Sequence, residues 1–440
     1  MKLVAGVGIG KIAPDLAGQR ARSHAHVAYV VGLLAVVNVF NYVDRMALAV
    51  LAPAIKADLD LSDAQLGLLI GFAFSLFYAV CAIPIAWHAD RGSRRNIIAV
   101  SVGLWSLMTA ACGAAQNVVQ LFVARMGVGV GEAGCIPPAQ SLIADIVPPA
   151  RRPGAFAVHT LGLYVGMLLG MALAGWLGDQ IGWRATFAVL GLPGIALALV
   201  VRLTVREPVR GGLDVGRSSD PVPLRKALDT LARNRTYRML LLALIANGFM
   251  QFGLIYWWPS HFVRTSGAEM GTIGVYLGLA VGVGSGVGVL LGGAVANIVG
   301  RHSLRRPLVL SAGATLLALP GMLASLLLAS FWQAIVCVFL AAVAWSICNA
   351  PIVAAVQSVT APRMRAVASA LGILLTSLLG AGLAPLLVGT LSDLLAPTFA
   401  ADALRYALLL PALVAPALAV AIYLSSRTIE QDLARVRVEA

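Results

Sequence analysis

Twelve long apolar runs cover most of the chain, and each is close to the length that crosses a lipid bilayer as a helix. Of the 440 residues, 60% are hydrophobic and only 12% are charged. About 20 apolar residues in a helix span the ~30 Å hydrocarbon core. We therefore predict an all-α polytopic membrane protein with 12 transmembrane helices. The predicted spans are 27–52, 64–87, 97–115, 118–144, 155–178, 184–205, 238–262, 271–297, 307–329, 331–358, 366–391 and 402–425.

The spans fall into two groups of six, with the longest polar segment of the chain between them. The predicted parts are a tail at 1–26, a bundle at 27–205, a linker at 206–237, a second bundle at 238–425 and a tail at 426–440. Both halves carry similar motifs, because Gly175-Trp-Leu-Gly-Asp179 closes the fifth span and Gly389-Thr-Leu-Ser-Asp393 closes the eleventh. Internal repeats of this kind are typical of secondary transporters, in which two bundles move about a site at the midplane.

Positive charge is concentrated on one side of the predicted spans. Most of the 32 Lys and Arg residues lie in the tails and in the loops after even-numbered spans. This bias predicts that both termini are cytoplasmic and that the protein lies in the cell inner membrane. The net charge of +13 then indicates attraction to membrane lipid and not a nucleic-acid partner. The five cysteines lie in apolar runs without metal spacing, so we expect no disulfide framework, metal or cofactor.

Four formal charges lie within the spans and away from their ends. They are Asp44, Arg45, Arg125 and Glu132. A charge at bilayer depth is costly, so each of these residues is a functional-site hypothesis. Asn38 and Asn41 lie on one helical stripe with Arg45, and Arg125 lies two turns before Glu132. Such polar stripes predict a wet cavity between the bundles.

The chemistry of these side chains predicts separate roles. Because the guanidinium group stays charged and fits phosphate or carboxylate, Arg45 and Arg125 are candidate ligands for an anionic head group. Glu132 is predicted to carry the coupling proton as the cavity opens and closes, and Asp44 is a second candidate for that proton. The alternative is a purely structural charge cluster that holds the first span against the fourth.

The second half carries no comparable charge. Its seventh span presents Phe249, Phe252 and Tyr256 on one face, and Asn349 lies in the tenth span. A cationic first half and an aromatic second half would suit an amphiphile with an anionic head, whereas ordinary interhelical packing is the alternative for the aromatic face. Trp257 and Trp258, at the end of the seventh span, are interpreted as anchors at the membrane interface.

Several motifs resemble those of the major facilitator superfamily. Asp90-Arg91 through Arg94-Arg95 resembles its signature after the second helix, and Arg125-Met-Gly-Val-Gly-Val-Gly resembles its fourth-helix signature. More narrowly, Asn41-Tyr-Val-Asp44-Arg45 with Gly131-Glu132-Ala133 resembles the Spinster family. The resemblance implies two pseudo-symmetric six-helix bundles and an association with lysophospholipids or sphingosine phosphate. It also implies a conformational latch at the cytoplasmic mouth, formed by Asp90, Arg91, Arg94, Arg95 and Asp145.

The predicted function is alternating-access, proton-coupled transport of an amphiphilic anionic lipid, such as a lysophospholipid or a sphingosine-phosphate-like molecule. The alternative within transport is a proton-coupled symporter of a small organic anion such as a sugar acid. Two further readings are an intramembrane enzyme acting on lipid and a lipid scramblase or channel. We expect a transporter and not an enzyme, with protons and an amphiphilic anion as partners, acting as a monomer.

Overall fold

The chain is helical wherever its regular structure is described. The computed structural model describes residues 12–89, 91–208, 223–301 and 303–439. Ten helical stretches in these ranges are long and apolar enough to cross a membrane. Two of the ten are far too long for one crossing, because Pro149–Thr204 has 56 residues and Val367–Ala434 has 68. At 1.5 Å per residue, even the shorter one would extend about 84 Å as a straight helix.

Both long stretches contain a break at which the chain reverses or turns. Gly182 has a φ of 75°, a conformation that glycine adopts at little cost, and Ala400 has a φ of 47°. Residues 162–170 follow residues 35–43 of the first span in the same direction. Residues 194–204 instead run back from Phe40 towards Tyr29. The chain therefore reverses direction at Gly182, and dividing both stretches at their breaks gives twelve spans.

We number the twelve spans α1 to α12. They are α1 (Ala25–Leu59), α2 (Asp63–Ala89), α3 (Arg94–Gly113), α4 (Val118–Ile146), α5 (149–181), α6 (183–204), α7 (Arg235–Ser266), α8 (Met270–Val299), α9 (Arg305–Leu327), α10 (Phe331–Ser358), α11 (367–399) and α12 (401–434). The loops after odd-numbered spans form what we call the odd-loop face, and the remaining loops form the even-loop face. A short helix, Leu224–Arg233, precedes α7.

The two bundles, α1–α6 and α7–α12, meet along two pairs of helices. A Cβ atom on Gly71 of α2 would lie 2.7 Å from the carbonyl oxygen of Ala381 in α11. One on Gly274 of α8 would lie 2.3 Å from the carbonyl oxygen of Met171 in α5. Larger residues would separate these backbones, so small residues permit the close packing of the bundles. Wide π-helical turns interrupt three of the four helices, at Leu68–Phe72, Leu279–Val283 and Thr376–Gly382.

Three helices are broken near their middle or last third, and each break is followed by proline. The regular helix stops after Ala133 in α4, after Ile255 in α7 and after Ser346 in α10. It resumes within three residues, with Pro137, Pro259 and Pro351 in the new first turns. Broken helices of this type line the substrate sites of many transporters, because they leave backbone groups free.

The membrane-interface interpretation of two tryptophans is wrong. Trp257 and Trp258 follow the break in α7 and are both fully buried. The indole of Trp257 donates to the carbonyl oxygen of Pro385 at 3.0 Å. Trp258 stacks on Trp345, with ring centroids 5.8 Å apart. The break turns this end of α7 into the second bundle, which places both indoles against α10 and α11.

Candidate functional site

An ion pair between α1 and α4 forms the centre of the candidate site. The Nε atom of Arg45 donates to Oε2 of Glu132 at 2.6 Å, and its Nη2 atom lies 2.6 Å from the same oxygen. Glu132 is completely buried, in the last turn before the break in α4. Its other carboxylate oxygen, Oε1, has no hydrogen-bond partner among the described residues. The carboxylate is therefore held by a single neighbouring cation.

Three aromatic rings surround the guanidinium group of Arg45. Its central carbon lies 4.5 Å from the ring centre of Phe74, 5.1 Å from that of Tyr42 and 5.4 Å from that of Tyr78. The negative faces of aromatic rings attract a cation that has lost its water. The cage thus keeps Arg45 charged and oriented in a part of the protein that is shielded from solvent.

Arg125 contacts the same Phe74 ring as Arg45. Its guanidinium carbon is 5.5 Å from the ring centre of Phe74, and the residue is only 1% exposed. Its Nε and Nη1 atoms have no hydrogen-bond partner within the part of the chain that the structure describes. Since buried donors are normally paired, these two atoms are available for an anionic ligand.

Asp44 points away from Arg45 and contacts a third helix. Its Oδ2 atom accepts a hydrogen bond of 3.1 Å from the hydroxyl of Thr109 on α3. Its Oδ1 atom has no partner among the described residues. The electrostatic environment of Asp44 includes Glu132 and Arg125. All four charges predicted within the spans are therefore brought together, but only Arg45 and Glu132 form a direct ion pair.

The two asparagines on the polar stripe of α1 are buried beside this cluster. Asn38 donates from Nδ2 to the carbonyl oxygen of His159 at 2.9 Å, which ties α1 to α5. Both polar atoms of the Asn41 side chain lack a partner that meets hydrogen-bond geometry among the described residues. Asn41 lies within the charged cluster, close to Glu132.

The second bundle adds neutral amides and aromatic rings. Asn247 donates from Nδ2 to Oδ1 of Asn349 at 2.9 Å, and Gln251 donates to Asn247 at 3.4 Å. The rings of Phe252 and Tyr256 lie 5.4 Å apart, and Tyr256 sits at the break in α7.

The three predicted aromatic substrate-binding residues all lie on this side. Phe249 and Phe252 are half-buried, and neither ring meets Arg45 or Arg125 in a described cation–aromatic contact. Tyr256 is buried and lies within electrostatic range of Arg45. Tyr256 is therefore the residue of this aromatic face that connects the second bundle to the charged centre.

The predicted latch residues are only partly gathered. Arg94 forms ion pairs with Asp145 and, at 2.8 Å, with Glu207, so it connects α3 to the ends of α4 and α6. Arg91 lies over the ring of Trp87 at 3.9 Å. Arg95 donates to Asn96 and does not enter the ion pairs of Arg94 among the described residues. Asp90 lies outside the described residues.

Glu207 is an acid of this cluster that sequence reasoning did not identify. Burial alone would raise its pKa, but the backbone N–H of Arg95, the Arg94 guanidinium and the Ser93 hydroxyl together hold the pKa below the usual range of glutamate. The hydrogen bonds from Arg95 N and Ser93 Oγ are both 2.9 Å long. No spacing signal in the sequence marked Glu207, because it lies past the end of α6.

The aromatic cage was also missed. Phe74 and Tyr78 are one helical turn apart on α2, and this spacing was the available signal in the sequence. No group of three or more His, Cys, Asp or Glu residues that could hold a metal occurs in the described part of the chain. The chemistry of the site is therefore that of two cations, two carboxylates and amide or aromatic neighbours.

Twelve spans in two similar bundles, enclosing a charged centre beside broken helices, define a secondary transporter of the membrane. The family profile of the Major Facilitator Superfamily matches residues 34–385. The chain therefore belongs to the major facilitator superfamily, which makes it a transporter and not an enzyme. The predicted fold class is confirmed.

Three known proteins illustrate the similarity. An MFS-type efflux pump of Mycolicibacterium smegmatis is 34% identical over 386 residues, which are 86% of this chain and 88% of that protein. The probable galactarate/D-glucarate transporter GudP of Bacillus subtilis is 28% identical over 62% of this chain and 65% of its own length.

The third is a crystal structure of a bacterial homologue of the human lysosomal transporter Spinster, in an inward-facing and unoccupied conformation. It superposes with a TM-score of 0.84 and 29% identity, covering 92% of this chain and 98% of that one. The resemblance to the Spinster family is thereby confirmed, and the protein is a Spinster-like member of the superfamily.

Proposed function

We propose that this transporter couples the movement of an amphiphilic anion, such as a lysophospholipid, to that of a proton. The observation that carries the proposal is the buried Arg45–Glu132 ion pair beside Arg125, whose Nε and Nη1 atoms lack partners among the described residues. In this arrangement one arginine is neutralised and the other is ready to receive an anion.

Competition for Arg45 supplies the coupling. An anion that binds Arg125 also attracts Arg45, because both guanidinium groups line the ring of Phe74. As Arg45 turns towards the anion, Glu132 loses its only paired cation. An unpaired carboxylate is very unfavourable in a buried site, so Glu132 takes up a proton. Anion binding and proton binding therefore favour each other. Asp44, held by Thr109, is a second acceptor for that proton.

The amphiphilic character of the substrate is inferred from the second bundle. Phe249, Phe252 and Tyr256 offer an apolar, aromatic wall opposite the charged centre. Such a wall suits an acyl chain, since burial of apolar surface contributes roughly 25 cal/mol per Å². The resemblance to the Spinster family, from which the lipid expectation follows, agrees with the similarity to the bacterial Spinster homologue.

A sugar acid is the second candidate substrate. The amide cluster of Asn247, Gln251 and Asn349 offers donors and acceptors that suit hydroxyl groups. The similarity to the galactarate/D-glucarate transporter supports this alternative. In either case we propose that the protein is a monomer of the inner membrane. We also propose that both termini are cytoplasmic, because the Lys and Arg residues cluster at the even-loop face.

Binding to purified protein tests the proposal. Lysophosphatidylglycerol should bind saturably and displace D-glucarate. If one proton is taken up with each anion, the affinity for the lysolipid should fall by up to about tenfold for each unit by which the pH is raised. Glu132→Gln should bind the lysolipid without this pH dependence. Arg45→Ala and Arg125→Ala should each lose affinity, whereas Arg184→Ala, at the odd-loop face, should not.

Proteoliposome transport completes the test. Wild-type uptake should follow an imposed pH gradient, and Glu132→Gln should not. Unchanged gradient dependence in Glu132→Gln would remove Glu132 from the coupling step. Lysolipid binding that survives in Arg45→Ala and Arg125→Ala would refute the head-group assignment. If D-glucarate displaces bound lysolipid at a lower concentration than lysolipid displaces bound D-glucarate, the sugar acid is the favoured substrate.

A further inference from the structure

The two Gly-x-x-x-Asp motifs that close α5 and α11 have no part in the charged centre. We propose that they are a symmetry-related pair of clasps that hold the odd-loop face shut. In each clasp the aspartate accepts one or two hydrogen bonds from backbone N–H groups at the start of a helix in the opposite bundle. Opening this face for the other half of the transport cycle requires both clasps to separate.

The first clasp joins α11 to α2. Asp393 accepts from the backbone nitrogen of Asp63 at 3.0 Å with Oδ1 and from that of Ala64 at 2.8 Å with Oδ2. These are the first residues of α2, whose N–H groups have no partner within their own helix. The positive end of a helix also favours an anionic side chain. The Asp393 carboxylate thus binds a helix that belongs to the other bundle.

The second clasp joins α5 to α8 in the same way. Asp179 accepts from the backbone nitrogen of Gly271 at 2.6 Å, and Gly271 is the second residue of α8. Adding six to the helix numbers of one clasp gives the other, since α5 corresponds to α11 and α2 to α8. The repeated sequence motif is therefore explained by a repeated contact.

The glycine of each motif completes the contact. Glycine and aspartate four residues apart lie on one face of a helix. A Cβ atom on Gly175 would lie 2.5 Å from the carbonyl oxygen of Met270, and one on Gly389 would lie 2.1 Å from that of Asp63. Each glycine therefore lets its helix approach the opposite helix terminus closely enough for the aspartate to reach the N–H groups.

An ion pair reinforces the first clasp. Arg264 of α7 binds both carboxylate oxygens of Asp63, at 2.8 and 2.6 Å. Ser392 donates to the same carboxylate at 2.6 Å. These hydrogen bonds and the ion pair between the two bundles all lie at the odd-loop face.

Spin-label distances across the odd-loop face test the inference without depending on the substrate. Labels would be placed at Gln116 and Ser330, exposed residues of opposite bundles on this face, after the five native cysteines are replaced by alanine. In wild type, most molecules should show the shorter of the two label-to-label distances, which corresponds to a closed odd-loop face. Asp179→Ala and Asp393→Ala should each raise the longer-distance population by roughly two- to fivefold, the ratio expected for one charge at a helix terminus. The double variant should shift further than either single variant.

Asp58→Ala is the matched control. Asp58 lies at the same face and pairs with Arg184, but both residues belong to the first bundle. The distances between the two spin labels in Asp58→Ala should match those of wild type. Lysolipid affinity that is unchanged in all variants would show that the clasps act independently of the substrate site. A double variant that folds with wild-type melting temperature and wild-type distances would overturn the inference. An equal opening in Asp58→Ala would do the same, because any lost surface charge would then suffice.

Discussion

At the scale of single residues, the four buried charges differ in how completely they are satisfied. Arg45 and Glu132 form an ion pair through one carboxylate oxygen, and three aromatic rings contact the cation. Arg125 contacts the ring of Phe74, and its Nε and Nη1 atoms have no hydrogen-bond partner among the described residues. A buried charge without its partner is unfavourable, so the Arg45–Glu132 ion pair is stable while no anion is bound. An anion that attracts Arg45 would weaken this pair.

Glu207 provides a residue-scale prediction for stability and pH. Its depressed pKa means that its ionised form stabilises the fold above the unfolded pKa of about 4.3, and that this contribution is lost as the pH falls through the folded value. Glu207→Gln should therefore lower the melting temperature at pH 7, and the difference from wild type should shrink as the pH falls below about 4.3, the unfolded pKa. Differential scanning fluorimetry between pH 3.5 and 7.5 measures this.

An exposed acid serves as the control for Glu207. Asp229 pairs with Arg233 on the surface of the short helix before α7, and both side chains are largely solvated. Exposed pairs contribute little, so Asp229→Asn should leave the melting temperature unchanged at every pH. A constant difference between Glu207→Gln and wild type across the pH range would contradict the assigned role of the Glu207 carboxylate.

At the scale of helices, close packing positions the charged centre. Gly129 lies on α4 between Arg125 and Glu132, and a Cβ atom there would lie 2.5 Å from the carbonyl oxygen of Phe74. The backbone of α2 at Phe74 is therefore held directly against α4. This contact explains how one aromatic ring reaches two arginines on different helices.

Gly129→Ala should disturb this contact. Because the added methyl group meets backbone and not a flexible side chain, we expect destabilisation of about 1–3 kcal/mol and weaker lysolipid binding. The control is Gly313→Ala on α9, where a Cβ atom meets nothing within 4 Å. Melting temperature and equilibrium binding measure both effects. Wild-type affinity in Gly129→Ala would show that the spacing of α2 and α4 does not set the site.

At the scale of the whole molecule, the two bundles are joined by contacts that do not involve the linker. The glycine contacts of α2 with α11 and of α5 with α8, and the ion pair of Asp63 with Arg264, all cross between the bundles. The two bundles are in direct contact at the odd-loop face. We therefore predict that the linker is a tether and not the main connection between the bundles.

Splitting the chain tests this role of the linker. Two chains divided between Gly216 and Arg217 should associate in the membrane and copurify when one carries an affinity tag. Combining the split with Asp179→Ala and Asp393→Ala should reduce the copurified fraction, because two bundle contacts are removed. Complete separation of the unmodified halves in mild detergent would contradict the prediction.

The sequence by itself determined the helical membrane class, the number of spans and the four charges that meet at the centre. These follow from hydrophobic length and from the cost of burying charge, which are local properties. It also marked Asp179 and Asp393 as a repeat, without indicating what they bind.

Only the tertiary structure decided which partners these residues take. Glu132 pairs with Arg45 and not with Arg125 of its own helix, Asp44 turns to Thr109, and Trp257 is buried. Trp257 lies at the break in α7, Glu132 lies in the turn before the break in α4, and glycines let α2 pack closely against α4. Such contacts join residues far apart in the chain, and no periodicity within a single span encodes them.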